Sequence, residues 1–250
     1  MAAFDAYLDA VVGLIERIKR DQGAQIAHAA AIVASALSSD GLVHTFGTGH
    51  SHLLAEEAFF RAGGLAAVNP IRDRRLMMLE GVLASTDAER EEGLAQKLIE
   101  GHHVRPGDAA IVISNSGRNA VPIEMAIAMR ERGARVIVIT SAAHSHAAAS
   151  RHASGARLLD LADVLIDNLT PPGDALVILP GIDSPVGPGS TVAGAAIVNA
   201  ILVEAAAIAA AEGQTVAVLR SANLDGTRQE LEQILERYRG RVPALFTRCT

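Results

Sequence analysis

The chain contains no tryptophan, and aromatic residues fill only 3% of its 250 positions. That scarcity removes the stacking platforms on which single-stranded nucleic acid is held. It also speaks against an aromatic-rich β-sandwich. The apolar mass is Ala, Val, Ile and Leu, within a hydrophobic share of 50%. Cysteine is nearly missing: Cys249, at the tail, is the single one. No intrachain disulfide and no thiolate metal cluster can therefore form. Positive charge is sparse as well. The formal net charge is −6, and the one basic cluster is Arg72, Arg74 and Arg75, less than a nucleic-acid-binding face needs. No nucleic-acid partner is expected.

No secretory leader is expected. The first ten residues carry Asp5 and Asp9 and lack a basic-then-apolar pattern. One long hydrophobic run, 192–211, is interrupted only by Gly194, Asn199 and Glu204. Its alanines partition weakly into lipid and Glu204 would be costly there, so it reads as a buried core helix, with no membrane partner. The expected location is the cytoplasm.

What is present alternates. Phe4, Leu8, Val11, Val12, Ile15 and Ile18 recur at helical spacing. A second helical pattern runs from about 25 to 37. Short apolar strands are predicted over 42–46, 65–68, 109–113, 135–139 and 164–166, with 176–179 as a short sixth strand or a loop. Between them lie helical stretches through 62, over 87–102, and from about 119 to 132. The Ala-rich helix, capped by Ser190 or Thr191, ends at Gly213, and a last helix covers about 227–238. The predicted organisation is one domain: helices over 1–38, an α/β core over 41–213 and an extension over 214–250. Continuous apolar strands joined by helices mean a parallel sheet covered on both faces, a three-layer α/β/α sandwich. In the flavodoxin-like order 2-1-3-4-5, ligands bind where the order reverses, between strands one and three.

Those two strands are the ones followed by loops of glycine and hydroxyl residues. After the third strand comes Ser114-Asn115-Ser116-Gly117-Arg118-Asn119. A phosphate needs several short donors converging from one side, and Ser hydroxyls, Asn amides and helix-start N–H groups supply them. Gly117 lets the backbone turn closely around the anion. An ordinary capped strand–helix loop is the alternative, but this set holds more donors than one cap uses. After the first strand comes Gly47-Thr48-Gly49-His50-Ser51-His52. Gly47 and Gly49 permit close approach, and Thr48 and Ser51 can donate. A dinucleotide fingerprint would need a third glycine where His52 stands and an acid where Asn69-Pro70 follows the second strand. The nucleoside-triphosphate loop G-x-x-x-x-G-K-[ST] does not occur. No cofactor is expected.

Glu56 and Glu57 follow on the next helix. A carboxylate can take the proton from the carbon beside a sugar carbonyl and return it to the neighbouring carbon. Glu57 is the better placed of the two, against the alternative of a solvated acidic pair. His50 and His52 can serve as base, as ring-opening acid or, with Glu57, as a divalent-metal site; an ordinary loop hydrogen bond is the competing role. His144, His146 and His152 cluster after the fourth strand, either closing over a ligand or lying on a surface helix. His102 and His103 read as structural. Ser190 and Thr191 add donors if they are not merely caps, and Asn223-Leu224-Asp225-Gly226 is a polar turn.

With these loops in view, the sequence resembles the SIS (sugar isomerase) domain family. The resemblance is carried by Gly47-Thr48-Gly49-His50-Ser51 and by Ser114-Asn115-Ser116-Gly117, similar to that family's Ser-x-Ser-Gly phosphate loop, and spans roughly 25–213. The stretches 119–125, Arg151-His152 with Ser154-Gly155, and 221–226 are similar to a bacterial subfamily of unassigned activity, often labelled as phosphoheptose isomerases. The resemblance implies a five-stranded α/β sandwich and a homodimer or homotetramer with its site at a subunit interface. It also implies phosphate binding by Ser114, Ser116 and Asn119, helped by Thr48 and Ser51. The leading expectation is an aldose–ketose isomerase of a phosphorylated sugar, working through a cis-enediol. The alternatives are a lyase, etherase or deaminase acting on an amino-sugar phosphate, and a non-catalytic sugar-phosphate sensor.

Overall fold

The computed structural model describes residues 2–221, 223 and 228–246. Cys249, most of the polar turn at 221–226 and the predicted helix start at Thr227 lie outside the described residues.

Two helices open the chain, α1 (Ala3–Asp21) and α2 (Gly23–Ser38). They are followed by β1 (Val43–Gly47), α3 (His52–Glu57), β2 (Val68–Pro70), α4 (Val82–Ala88), α5 (Leu94–Ile99) and β3 (Ala109–Ile113). Then come α6 (Ala120–Glu131), β4 (Arg135–Thr140), α7 (Ala142–His146), β5 (Val164–Asp167), β6 (Ala175–Val177) and β7 (Val186–Pro188). The long α8 (Ser190–Ala211) and α9 (Arg228–Tyr238) complete the order. The first five strands form one parallel sheet in the order β2-β1-β3-β4-β5. The predicted sandwich and strand order are both present.

Alternation along a strand sends successive side chains to opposite faces. In β3, Ala109, Ile111 and Ile113 join the core beneath α1, α2 and α8. Ala110 and Val112 join the core beneath α5 and α6. All five β3 residues are buried, as are all five of β1. The run read as a core helix is one: Ile197, Val198 and Ile201 of α8 are buried against α2 and the sheet. Each such side chain contributes about 1.5–3 kcal/mol over leaving it in water. Among the described residues α8 is the single helix long and apolar enough to cross a membrane. Gly194 is where α3 crosses it, because a Cβ there would run into Leu54.

Several expected boundaries shift. The helix predicted through 62 stops at Glu57, after which Phe60 and Gly63 adopt positive φ. The stretch 87–102 is two short helices, broken by left-handed Gly93, whose N–H is taken by the Glu124 carboxylate at 2.8 Å. The second strand lies at 68–70 rather than 65–68, because Leu65 bridges antiparallel to Val218. The sixth strand exists but pairs only with β7, antiparallel and outside the main sheet.

At the amino edge of the sheet lies a buried polar chain. Asp108 accepts the N–H groups of Leu42 and Arg105 at 2.8 and 2.9 Å and pairs with His44 Nε2 at 3.0 Å. Asn69 Nδ2 reaches Nδ1 of both His44 and His102, at 2.9 and 3.1 Å. One amide nitrogen carries two protons, so both rings accept at Nδ1, and His44 donates from Nε2 to Asp108. His102 belongs to the frame, as read from sequence. Burial, with His44, Arg72 and His103 nearby, pushes it down from 6.5 to about 4. Between those values the unfolded chain takes up a proton that the folded chain refuses. This contribution to stability is complete above pH 6.5 and is lost as pH falls towards 4. Urea unfolding of wild type is expected to weaken across that window, and His102→Asn to weaken less steeply. Parallel slopes would show that His102 titrates normally.

Candidate functional site

β1 and β3 are direct neighbours, with Gly47 opposite Ile113. The two loops that follow therefore leave the sheet's carboxyl edge side by side. Between them is a cavity of about 320 Å³. Thr48, Gly49, His50 and Ser51 line it from the first loop, and Ser114, Asn115, Ser116 and Asn119 from the second. Glu89, His144, Asp174, Pro188, Ser190 and Thr191 close it. A larger groove of about 610 Å³ runs along α1 and the segment after β5. Its lining is mostly apolar, without a convergent set of short donors, so the smaller cavity is the candidate site.

Glycine sets the close approach of both loops. A Cβ on Gly47 would overlap the Ser51 carbonyl. Gly117 has φ +58°, and a Cβ there would stand 3.0 Å from Thr140 Oγ1. Its N–H donates to Ser114 Oγ at 3.2 Å, which curls the loop back on itself. That curl leaves donors facing outward. Neither the hydroxyl nor the N–H of Ser116 has a partner among the described residues, and the N–H groups of Arg118 and Asn119 are likewise unpaired. They sit at the start of the 12-residue α6, where the helix dipole also favours an anion.

Other predicted residues are already engaged. Thr48 Oγ1 donates to Glu89 Oε2 at 2.9 Å, and Asn119 Nδ2 donates to Glu89 Oε1 at 2.6 Å. Arg151 donates in turn to Asn119 Oδ1 at 3.0 Å. The side-chain oxygen Oδ1 of Asn115 accepts from Asn168 and Thr170, at 2.8 and 3.1 Å, and buttresses the loop from behind. The N-terminus of α8 has its own anion. Asp174 accepts the N–H groups of Gly189 and Ser190 at 3.1 and 2.7 Å, and the Ser190 hydroxyl at 2.6 Å. Ser190 is thus not a free donor, and neither it nor Thr191 is the cap, which is Gly189.

The three predicted catalytic residues part company. His50 lines the cavity. His52 turns its Nδ1 to the Gly49 carbonyl, so it braces the loop outside the cavity lining. Glu57 pairs with Arg61 and accepts from Asn199 of α8 at 3.1 Å. It lies five residues into a helix that runs back from the carboxyl edge, about 7 Å down at 1.5 Å per residue. Glu57 is therefore not in the cavity. No three His, Cys, Asp or Glu side chains gather as a metal site among the described residues, so His50, His52 and Glu57 do not form one.

Glu89 is the carboxylate that sequence reading missed. It stands in the break between α4 and α5, inside a stretch that reads as one charged helix. The signal available was the break itself, at Gly93. Burial raises the Glu89 carboxyl above the usual range, while Thr48, Arg90 and Arg151 pull it back. His144 also faces the cavity, with its Nδ1 buried and unpartnered among the described residues. His152 instead leans on Glu124 at 3.7 Å.

The comparisons agree with this architecture. Residues 6–141 match the family model of the SIS domain. A UPF0309 protein of Listeria monocytogenes serotype 4b (strain F2365) is 42% identical over 239 residues, covering 96% of this chain and 97% of that protein. One of Brucella ovis is 41% identical over 241 residues, covering 96% and 98%. Among solved structures, phosphoheptose isomerase GmhA from Neisseria gonorrhoeae superposes with a TM-score of 0.52 at 18% identity, over 83% of this chain and 97% of that one. A phosphoheptose isomerase from Francisella tularensis gives 0.51 at 17%, over 83% and 100%. At such identity the structural likenesses speak for the fold alone. The family match and the close relatives go further: this chain belongs to the SIS domain family and, within it, to the UPF0309 proteins.

Proposed function

We propose that this chain binds a phosphorylated sugar between the β1 and β3 loops and interconverts its aldose and ketose forms. One observation carries the binding: the unpaired donors of Ser116, Arg118 and Asn119 at the start of α6, beside the cavity. A phosphate there meets short donors and the positive end of a helix. The rest of the cavity, about 320 Å³, is at the small end of ligand sites, a size suited to one sugar ring or chain. Most of the residues lining it are polar, with hydroxyls and imidazoles to meet sugar oxygens. The fold shared with phosphoheptose isomerases supports the same substrate class.

Aldose–ketose isomerisation moves one proton between adjacent carbons and one between adjacent oxygens. The cavity offers a carboxylate for the first and His50 or His144 for the second. No metal is part of this reading. The apolar stripe of Phe4, Leu8 and Val12 on α1, together with Val192 and Val203 on α8, is exposed on the single chain and supports a homo-oligomer.

Calorimetry with inorganic phosphate and with five-, six- and seven-carbon sugar phosphates tests the anion site. Ser116→Ala is expected to weaken phosphate binding by roughly 10- to 100-fold, the loss of one hydrogen bond to a charged group. Its thermal midpoint should be unchanged, because the hydroxyl has no partner among the described residues. Equal affinity in mutant and wild type would remove phosphate from this loop. Deuterium entering the sugar beside its carbonyl in heavy water separates a catalyst from a sensor.

A further inference from the structure

The geometry points to Glu89 as the group that carries the proton between the two carbons of the bound sugar, an assignment that rests on the sugar-phosphate reading above.

Two carboxylates line the cavity, Glu89 and Asp174. Asp174 is held by three donors at the start of α8, which fix it to the frame and leave it one open lone-pair site against two on Glu89. Glu89 is the one left to meet a ligand. Its two oxygens each take one donor, from Thr48 of the first loop and from Asn119 of the second. The carboxylate thus spans the gap between the loops, next to the place where a phosphate at Ser116 would tether the sugar.

Its orientation is over-determined. The backbone carbonyl of Glu89 accepts the Val121 N–H at 3.1 Å, tying the segment to α6. Arg151 fixes Asn119 from the far side. A base that must not reorganise during the reaction needs such support. Each oxygen keeps a lone pair beyond its one hydrogen bond, which leaves room for an incoming proton. Burial makes the carboxyl readier to hold a proton, while Arg90 and Arg151 keep it ionisable. That balance suits a group that must both take and return one.

The step balances. Glu89 removes the proton from the hydroxyl-bearing carbon beside the aldehyde, and the C–H pair becomes a carbon–carbon double bond. The carbonyl π pair moves to its oxygen, which takes a proton from the His50 imidazole. The enediol then returns its other hydroxyl proton to His50 as that carbon becomes the ketone. The double-bond pair takes the proton back from Glu89 at the neighbouring carbon. Nothing is oxidised overall, and both groups end as they began.

The test combines binding with solvent exchange in heavy water, using arabinose 5-phosphate, glucose 6-phosphate and sedoheptulose 7-phosphate as probes. Glu89→Gln keeps the shape, and the Thr48 hydroxyl can turn to accept from the new amide. Inorganic phosphate affinity should stay within threefold of wild type. Exchange of the carbon-bound proton should fall by about 10²–10⁴-fold, the usual worth of a positioned acid–base group. Glu57→Gln should exchange within threefold of wild type. Glu89→Asp, which keeps the charge but withdraws it by one methylene, should fall between wild type and Glu89→Gln. It stands in for the amide variant if that variant fails to fold. Exchange by Glu89→Gln within tenfold of wild type overturns the assignment and leaves the sugar-phosphate reading standing. Wild type that binds a probe yet exchanges none also overturns the assignment, together with the isomerase part of that reading, and leaves only the binding standing. Wild type that binds neither phosphate nor any probe removes the sugar-phosphate reading, and this assignment with it.

Discussion

The hydrogen-bonded pairing of β1 with β3 is the constraint on which the site depends. Five residues of each strand run side by side and in parallel, from Val43 opposite Ala109 to Gly47 opposite Ile113. β2 lies on the outer side of β1, and β4 and β5 lie beyond β3. The connections therefore diverge from the central pair in opposite directions. A parallel sheet leaves a crevice at such a reversal, because the helices that follow the two strands pack on opposite faces. Here α3 joins the face of α1, α2 and α8, and α6 joins the other. The two glycine-and-hydroxyl turns are left facing each other with no helix between them.

Glu89 reaches that crevice through a chain of backbone events. Left-handed Gly93 ends any continuation of α4 into α5, and Glu124 holds the Gly93 N–H. The five residues between the helices then fold across the start of α6, where the Val121 N–H fixes the Glu89 carbonyl. Had 87–102 been one helix, as its composition suggests, Glu89 would have been a solvated residue in its first turn.

The elements that the sequence made legible are those whose signal is local. β1 and β3 are continuous apolar runs, and burial on both faces is the only way to satisfy them. The glycines at 47, 49 and 117 announced close turns because other residues would clash or strain there, and Gly117 does stand against Thr140. What stayed hidden depends on distant partners. Whether a Ser at a helix start is free or engaged depends on Asp174, sixteen residues earlier, which takes the Ser190 hydroxyl. Whether Glu57 enters the cavity depends on the length of α3 and on Asn199, 142 residues away. His52 had an acceptor three residues back, at Gly49. In each case the residue type was right for the chemistry, and the neighbours were what sequence could not supply.

The two cavity carboxylates show why the neighbours decide. Glu89 and Asp174 face the same space and differ by one methylene, yet their surroundings give them opposite parts. Asp174 meets two backbone N–H groups and a hydroxyl at the positive end of a 22-residue helix. A carboxylate held by three donors is fixed in position, which makes it part of the frame. Glu89 meets one hydroxyl and one amide, is half-buried, and sees its cations only at a remove, through Asn119 to Arg151. Removing water from a carboxyl without strong compensation favours the protonated form, and guanidinium groups nearby restore part of the charge. One environment ties its carboxylate into the frame, and the other leaves lone pairs turned to the cavity. A cavity proposed to move protons on a tethered sugar needs one of each: a rigid wall to hold its shape, and a carboxyl with lone pairs left open to the ligand.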